Sequence, residues 1–421
     1  MPMTSFWQIF SLEFKGLWRT KTLAILLIAA LVWMLTADKV VSGDGTIEGA
    51  KEMYLKFSLG GVFAITLIAS VFAATASIAK ERAEKRLQLT MVRPVRYSII
   101  AIAKTAAITF AGFMVLAFAT AIAVLRVDTS DICYHVVSPI LESPRAEAER
   151  MYRSYMEDPN TPEYIKRAKK SLVVRILTQR ALDHFETIDS GETGKWKFSI
   201  PSSYGAKDIA AQIRFTNLYD MRSSVFGVFT LGDRSGSVSN ITQSILSVKL
   251  SGSDESFSGE HELKFENRGS AAVMLRNRKD VHLLIPADAR FYNLIRSLIQ
   301  LTSILSFVVA LSMFLGASLS RPVATFVAIL MLLITEMSPS VIEQYPDELE
   351  TKLVDRVGLY MTRLAEKVTR PLSSLNPLEA LSRGECVEFS DTLEASAVNF
   401  ILVPSIFALL SALALAAKKE P

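Results

Sequence analysis

FSLGGVFAITLIASVFAATASIA, residues 57–79, contains no charged side chain. A bilayer core about 30 Å thick is crossed by ~20 apolar residues in helix, because each backbone amide must be bonded within its own segment. Residues 57–79 meet that length, and so do 105–125, 297–320 and 395–417, again without a charge. Two shorter runs flank them. Residues 22–37, TLAILLIAALVWMLTA, end near Trp33, an interfacial anchor. Residues 322–335, PVATFVAILMLLIT, continue past Glu336 into MSPSVI. Six spanning helices are expected. The first run is read as an uncleaved helix, because SFWQIFSLEFKGLWR before it is too long and too aromatic for the basic region of a signal peptide. A signal peptide is the alternative, and it leaves the rest of the topology unchanged.

Composition agrees. Of 421 residues, 50% are hydrophobic. They are gathered into blocks rather than spread with the periodicity of a soluble domain. The net charge of +4 gives no reason to expect nucleic acid. Two cysteines and four isolated histidines, His135, His184, His261 and His282, form no metal-ligand spacing, so neither metal nor cofactor is expected.

Orientation follows from basic residues in short loops. The stretch 80–104 carries Lys80, Arg82, Lys85, Arg86, Arg93, Arg96 and Lys104 against Glu81 and Glu84. The loop 38–56 is mixed in sign, Arg321 sits in a tight turn, and Lys418 and Lys419 follow the last apolar run. All basic clusters fall inside when both termini are cytoplasmic, in a multi-pass protein of the plasma (inner) membrane. The expected fold is an α-helical polytopic membrane protein with an inserted extracytoplasmic α+β domain containing a β-sandwich. Residues 1–21 form an interfacial amphipathic helix, with Phe6, Trp7, Ile9, Phe10, Phe14, Leu17 and Trp18 along one face. Residues 22–126 hold three spans and a cytoplasmic loop at 80–104. Residues 127–292 are exported, helical over 140–188 and a sandwich over 194–288. Residues 293–421 hold the last three spans and an exported segment, 338–394.

The sandwich rests on seven short β patterns: KWKFSI, IAAQIRF, VFGVFTL, SILSVKL, HELKF, AAVML and VHLLI. Turn-rich pieces such as GDRSGS and SGSDESFSG separate them. In the second exported segment Leu349, Leu353, Val357, Met361, Leu364 and Val368 recur every three or four residues, as on an amphipathic helix. Cys133 and Cys386 both fall on the exported side, where a disulfide between them is permitted; two buried free thiols are the alternative.

No catalytic constellation appears. SGETGKW resembles a phosphate loop, but Asp189 stands where its first glycine belongs and Trp196 where its hydroxyl residue belongs. It reads as a hairpin turn. Glu336 is the one acid within an apolar run, near its outer end, and is read either as interfacial or as a functional intramembrane acid. The strongest local signal is AKERAEKRLQLTMVRPVRYSIIAIAK, residues 79–104. A basic solvated loop explains its charges but not Leu87, Leu89 and Met91, which need a partner surface.

This arrangement resembles the membrane subunit of a type-2 ABC transporter permease. Such proteins have an interfacial helix, six spans, and a loop after the second span reading Glu-Arg-x-x-Gly-Thr, an apolar run, Pro-Val/Ile-Ser-Arg, then Gly-Lys. Here Glu81-Arg82 is followed by Lys85-Arg86 in place of Gly-Thr, then Leu87, Leu89, Met91, Arg93, Pro94-Val95-Arg96 and Lys104. The resemblance covers the spans, about half of the chain, and the inserted exported domain exceeds the smaller members of that class. It implies a permease that hydrolyses nothing itself. Glu81, Arg82, Glu84, Arg86, Leu87, Leu89, Met91, Arg93, Pro94 and Arg96 would couple it to a separate ATPase subunit. A second copy or a sister permease, membrane lipids and an extracytoplasmic partner of the sandwich would complete the assembly. The competing reading is a membrane-anchored interaction protein that presents the ectodomain without transport.

Overall fold

The computed structural model describes residues 2–40, 47–83, 96–127, 132–141, 144–159, 161–162, 166–182, 185–204, 209–214, 216–217, 224–241, 245–252, 258–270, 272–276, 280–344, 376–382 and 384–417. The amphipathic pattern over 349–368 and most of the expected coupling residues lie outside them.

The helical part begins with α1 (Pro2–Arg19), α2 (Thr22–Val40), α3 (Ile47–Ala83) and α4 (Tyr97–Arg126). After the inserted domain come α7 (Arg290–Ser318), α8 (Arg321–Gln344), α9 (Leu378–Ser382), α10 (Phe389–Ser396) and α11 (Val403–Ala417). Four helical stretches are each long and apolar enough to cross a membrane: Met53–Ala79, Tyr97–Arg126, Arg290–Ser318 and Phe389–Ala416. The α1–α2 pair passes that test only jointly, bent by 60°. At the bend Lys21 adopts φ 58, a conformation that L-residues other than Asn and Asp rarely take. The chain is therefore a helical membrane protein with a separate β domain.

The fourth membrane stretch is continuous only because its backbone widens. Ala397–Leu402 forms a π turn between α10 and α11. Pro404 supplies the reason: it has no N–H to offer the carbonyl four residues back, and its ring crowds that carbonyl.

Helix α7 is the most deeply buried of the four and packs against α3, α4, α8 and α11. Its polar residues do not open it to water. Ser297 Oγ donates to the Asn293 carbonyl at 2.8 Å, and Thr302 Oγ1 to Leu298 at 2.7 Å, each one turn back. Where lipid removes the usual hydrophobic drive between helices, close backbone approach replaces it. Gly316 provides that approach: a Cβ there would lie 2.8 Å from the Thr75 carbonyl oxygen of α3. Thr75 Oγ1 also meets Thr325 Oγ1 of α8 at 2.8 Å.

The inserted domain starts with β1 (Ile132–Val137), then a helical hairpin of α5 (Pro144–Glu157) and α6 (Lys170–Leu182) around Ala148, Val173 and Leu177. The strands are β2 (Phe185–Ile188), β3 (Thr193–Ile200), β4 (Ile209–Arg214), β5 (Thr216–Asn217), β6 (Ser224–Leu231), β7 (Arg234–Ile241), β8 (Ile245–Leu250), β9 (Gly259–Asn267), β10 (Val273–Arg276) and β11 (Val281–Ala289). They form antiparallel sheets ordered β1-β11-β4-β8, β2-β10-β5 and β3-β9-β6-β7. Alternation dictates what is inside: Trp196, Phe198 and Ile200 of β3 are buried while Lys195 and Lys197 are exposed. With Phe229, Leu231, Leu263, Phe265 and Leu283 they make one core. Burying each of the phenylalanines contributes about 1.5–3 kcal/mol.

Each of the seven β patterns contains a strand. Four strands fall outside those patterns, β1, β2, β5 and β7, and β2 occupies the end of the stretch 140–188 expected to be helical. GDRSGS reads as a turn, yet only Gly232 and Asp233 turn; Leu231 pairs with Arg234 and β7 follows. β1 lies in the connection after α4, where it pairs with β11. Strand β11 passes into α7 without a loop, Ala289 to Arg290, so the β domain stands directly on the most buried helix.

Candidate functional site

The stretch 80–104 is less of a loop than its charges indicate. Helix α3 continues to Ala83 and α4 begins at Tyr97, so helix covers residues 80–83 and 97–104. Of the residues expected to couple to an ATPase, Glu84, Arg86, Leu87, Leu89, Met91, Arg93 and Pro94 lie outside the described residues. Arg82 is on the last turn of α3. Arg96 is exposed and extended (φ −69, ψ 138), and its carbonyl accepts from Ile99 N at 3.0 Å to open α4.

Glu81 and Lys104 carry the geometry of this end of the molecule. Lys104 is 3% exposed. Its Nζ lies 2.7 Å from Glu81 Oε1 of α3 and 3.2 Å from Glu13 Oε2 of α1. It also donates to Ser77 Oγ at 3.0 Å, and Ser77 Oγ donates to Glu13 Oε1 at 2.7 Å. A buried ammonium left alone would cost several kcal/mol; two carboxylates and a hydroxyl offset that. Glu13 reaches inward because Phe10 and Phe14 on the same helix pack with tilted rings against Phe110 of α4, centroids 5.9 and 5.7 Å apart. Trp7 and Trp18 remain exposed on the same helix. By charge alone Lys104 belongs with the loop cations; its carboxylate partner Glu13 is distant in the chain and no local pattern announces it.

Further along α4, a groove of about 350 Å³ opens between α4, α7 and the last helix. Phe110, Phe113, Phe400 and Ile102 line it, with a hydroxyl row from Thr105, Thr109, Thr302 and Ser306. Thr109 Oγ1 is buried there without a hydrogen-bond partner among the described residues. The lining carries no charge, so the groove suits an apolar occupant.

The opposite end of the bundle holds a polar junction. Asn293 of α7 donates from Nδ2 to the Glu385 carbonyl at 2.9 Å and accepts from Val387 N at 2.7 Å. Arg296 donates from Nη1 to the Val387 carbonyl at 3.1 Å and pairs through Nη2 with Asp288 Oδ2 of β11 at 2.5 Å. Tyr204 stacks on His135 with ring centroids 4.2 Å apart, and its hydroxyl donates to Glu388 Oε1 at 2.9 Å. Burial, then that bond to Glu388, pushes the Tyr204 hydroxyl above its usual range. The residues before the last helix are thereby held to both the β domain and α7. Asn293 and Arg296, polar and three apart at the edge of an apolar run, were the available signal for this junction.

Cys133 and Cys386 meet here, both buried and both free thiols. Cys133 Sγ donates to the Asp288 carbonyl at 3.0 Å, and Arg296 Nη1 lies 3.5 Å from Cys386 Sγ. Glu336 lies within α8; its side chain is outside the described residues. Among the described residues no group of three or more His, Cys, Asp or Glu side chains is placed to hold a metal.

No family model, no curated protein and no solved structure matches this chain.

Proposed function

We propose that the chain is the membrane subunit of an ATP-driven exporter of the ABC class and couples to a separate ATPase through the segment between α3 and α4. In this reading α2 and α8 also cross the membrane, giving six spans in the plasma (inner) membrane with both termini in the cytosol. The β domain then lies outside, as a sandwich that meets cargo or a partner protein. The chain supplies no catalytic residue.

One observation carries the proposal: Lys104 ties the two helix ends that flank residues 84–95 to the interfacial helix through Glu81 and Glu13. A solvated basic loop has no use for a buried ion cluster at its root. A segment that is pushed does, because a load on 84–95 is delivered to α1, α3 and α4 together. Two ATPase subunits closing on ATP would push it, and the differential affinity of ATP for the closed state supplies the free energy. Two copies of the chain, or one copy and a sister permease, would form the membrane half.

Affinity purification in mild detergent tests this. A stoichiometric ATPase that co-elutes, with ATP hydrolysis lowered in a Glu84→Lys/Arg86→Glu variant that still assembles, supports the exporter. A chain that purifies with no ATPase, or whose double variant transports normally, leaves the membrane-anchored platform as the reading.

A further inference from the structure

We propose that Cys133 and Cys386 are a modification site: on the exported side they close into a disulfide that clasps the segment entering the last apolar helix to the base of the β domain. The inference goes beyond transport and takes from it only the exported placement of that domain.

The backbone already brings the two together. Residues 384–386 run beside β1 as a short parallel partner, with Tyr134 bridged to Glu385. Tyr134 N donates to the Gly384 carbonyl at 3.1 Å and Cys386 N to the Tyr134 carbonyl at 2.8 Å. Side chains alternate along extended backbone, so the two cysteines, which flank this bridge, share its other face. That face is buried: Cys133 is 1% and Cys386 9% exposed. The frame is held independently of sulfur by Asn293 and Arg296, which bond the backbone of Glu385 and Val387. The cysteines stand diagonally across the bridge, so closure asks for rotation of both side chains and an approach of the two strands within that frame.

The chemistry needs an external disulfide, such as that of an extracytoplasmic thiol–disulfide oxidoreductase. The Cys386 thiolate attacks one sulfur of the donor disulfide and expels the other as thiolate, which takes up the proton Cys386 had released. Cys133, losing its proton, then attacks the Cys386 sulfur and expels the donor's first sulfur. One S–S bond forms in the chain, two S–H bonds are lost, and the donor leaves as a dithiol. Either thiol can open this exchange; the contact with Cys133 and the Arg296 cation that hold the Cys386 thiol down, to about 7, belong to the settled reduced fold. The same pairing and burial push Cys133 up. Both sulfurs are covered in the finished fold, so exchange belongs to the stage before residues 384–388 settle on β1. Afterwards the bond is shielded from reductants.

The test is alkylation and mass analysis of the full chain from acid-quenched native membranes. Without reductant, neither cysteine is expected to carry an alkyl group, and a Cys133–Cys386 peptide pair is expected to be recovered; after denaturation with reductant both alkylate. In Cys133→Ser, Cys386 should alkylate without reductant. The reduced, purified chain, unfolded and refolded with oxidised glutathione, should regain the bond. Two alkylated cysteines in the untreated sample overturn the proposal, and so does refolding that leaves both thiols free.

Discussion

Lys104 Nζ and Glu81 Oε1 stand 2.7 Å apart, joining the first turns of α4 to the last turn of α3 through an ammonium almost wholly withdrawn from water. Glu13 shares that ammonium, so the three groups act as one unit rather than as two surface ion pairs. Surface pairs contribute about 0–1 kcal/mol. This one is governed by the cost of stranding a buried charge.

Glu13→Gln or Glu81→Gln alone leaves Lys104 one carboxylate. The double variant leaves none, and is expected to lose about 3–5 kcal/mol, more than the two single losses added together. Lys104→Met on the double background should recover much of it by removing the stranded charge. Thermal unfolding in detergent reads all four proteins. Additive losses without recovery would show that the cluster does not act as a unit.

Gly316 and Gly16 form a matched pair. Any side chain at Gly316 meets the Thr75 backbone at 2.8 Å, whereas nothing lies within 4 Å of a Cβ at Gly16. Gly316→Leu should therefore destabilise by about 1–3 kcal/mol through overpacking. Gly16→Ala should stabilise α1 by about 0.5–1 kcal/mol, since alanine loses less backbone freedom in a helix. Unfolding midpoints decide both; a tolerated Gly316→Leu would mean that α3 and α7 do not cross as closely as described.

Asn293→Leu removes both side-chain bonds that hold Glu385 and Val387. It leaves a buried N–H and a carbonyl without their partner, a loss of about 1–3 kcal/mol. Hydrogen exchange at residues 384–388 should quicken while the β3–β9 pairing keeps its protection. Unchanged exchange at 384–388 would show that the junction is held by something else.

In the reduced protein, Cys386 faces Cys133 of β1, Asp288 of β11 and Arg296 of α7. The thiol is drawn down to about 7 from 9.0, chiefly by the Cys133 hydrogen bond. Alkylation of Cys386 by a small reagent should therefore rise as pH passes about 7, and Cys133→Ala should move that rise upward. The sign for stability follows. The unfolded thiol keeps its proton to 9.0 and the folded one does not. The reduced fold thus gains stability as pH rises from about 7 and loses it as pH falls back through 7; Cys133, raised in the fold, opposes further gain only above 9. A rise centred near 9 in both proteins would contradict the pairing.

What could be read in advance divides along the range of the interaction. The apolar runs and the β3 alternation of Trp196, Phe198 and Ile200 against Lys195 and Lys197 are local, and they were legible. Strand β7, RSGSVSNI, was not, because small polar residues carry no alternation of burial that a reader of sequence can see. Nor was β1, whose partner β11 comes only after the rest of the domain. The Lys104 cluster hid for the same reason: Glu13, Ser77, Glu81 and Lys104 lie on three helices, and a charge count places the lysine in solvent. The cysteine pair was legible as an option, while the Asn293 and Arg296 frame that positions it was not.

The proposed topology puts the basic stretch between α3 and α4 and the β domain on opposite sides of a membrane. It is tested by labelling intact cells with a membrane-impermeant maleimide, using Arg96→Cys and Lys195→Cys reporters in a chain lacking Cys133 and Cys386. Both positions are exposed. Lys195→Cys should label from outside, and Arg96→Cys only after the cells are permeabilised. Labelling of both reporters from the same side would contradict that topology.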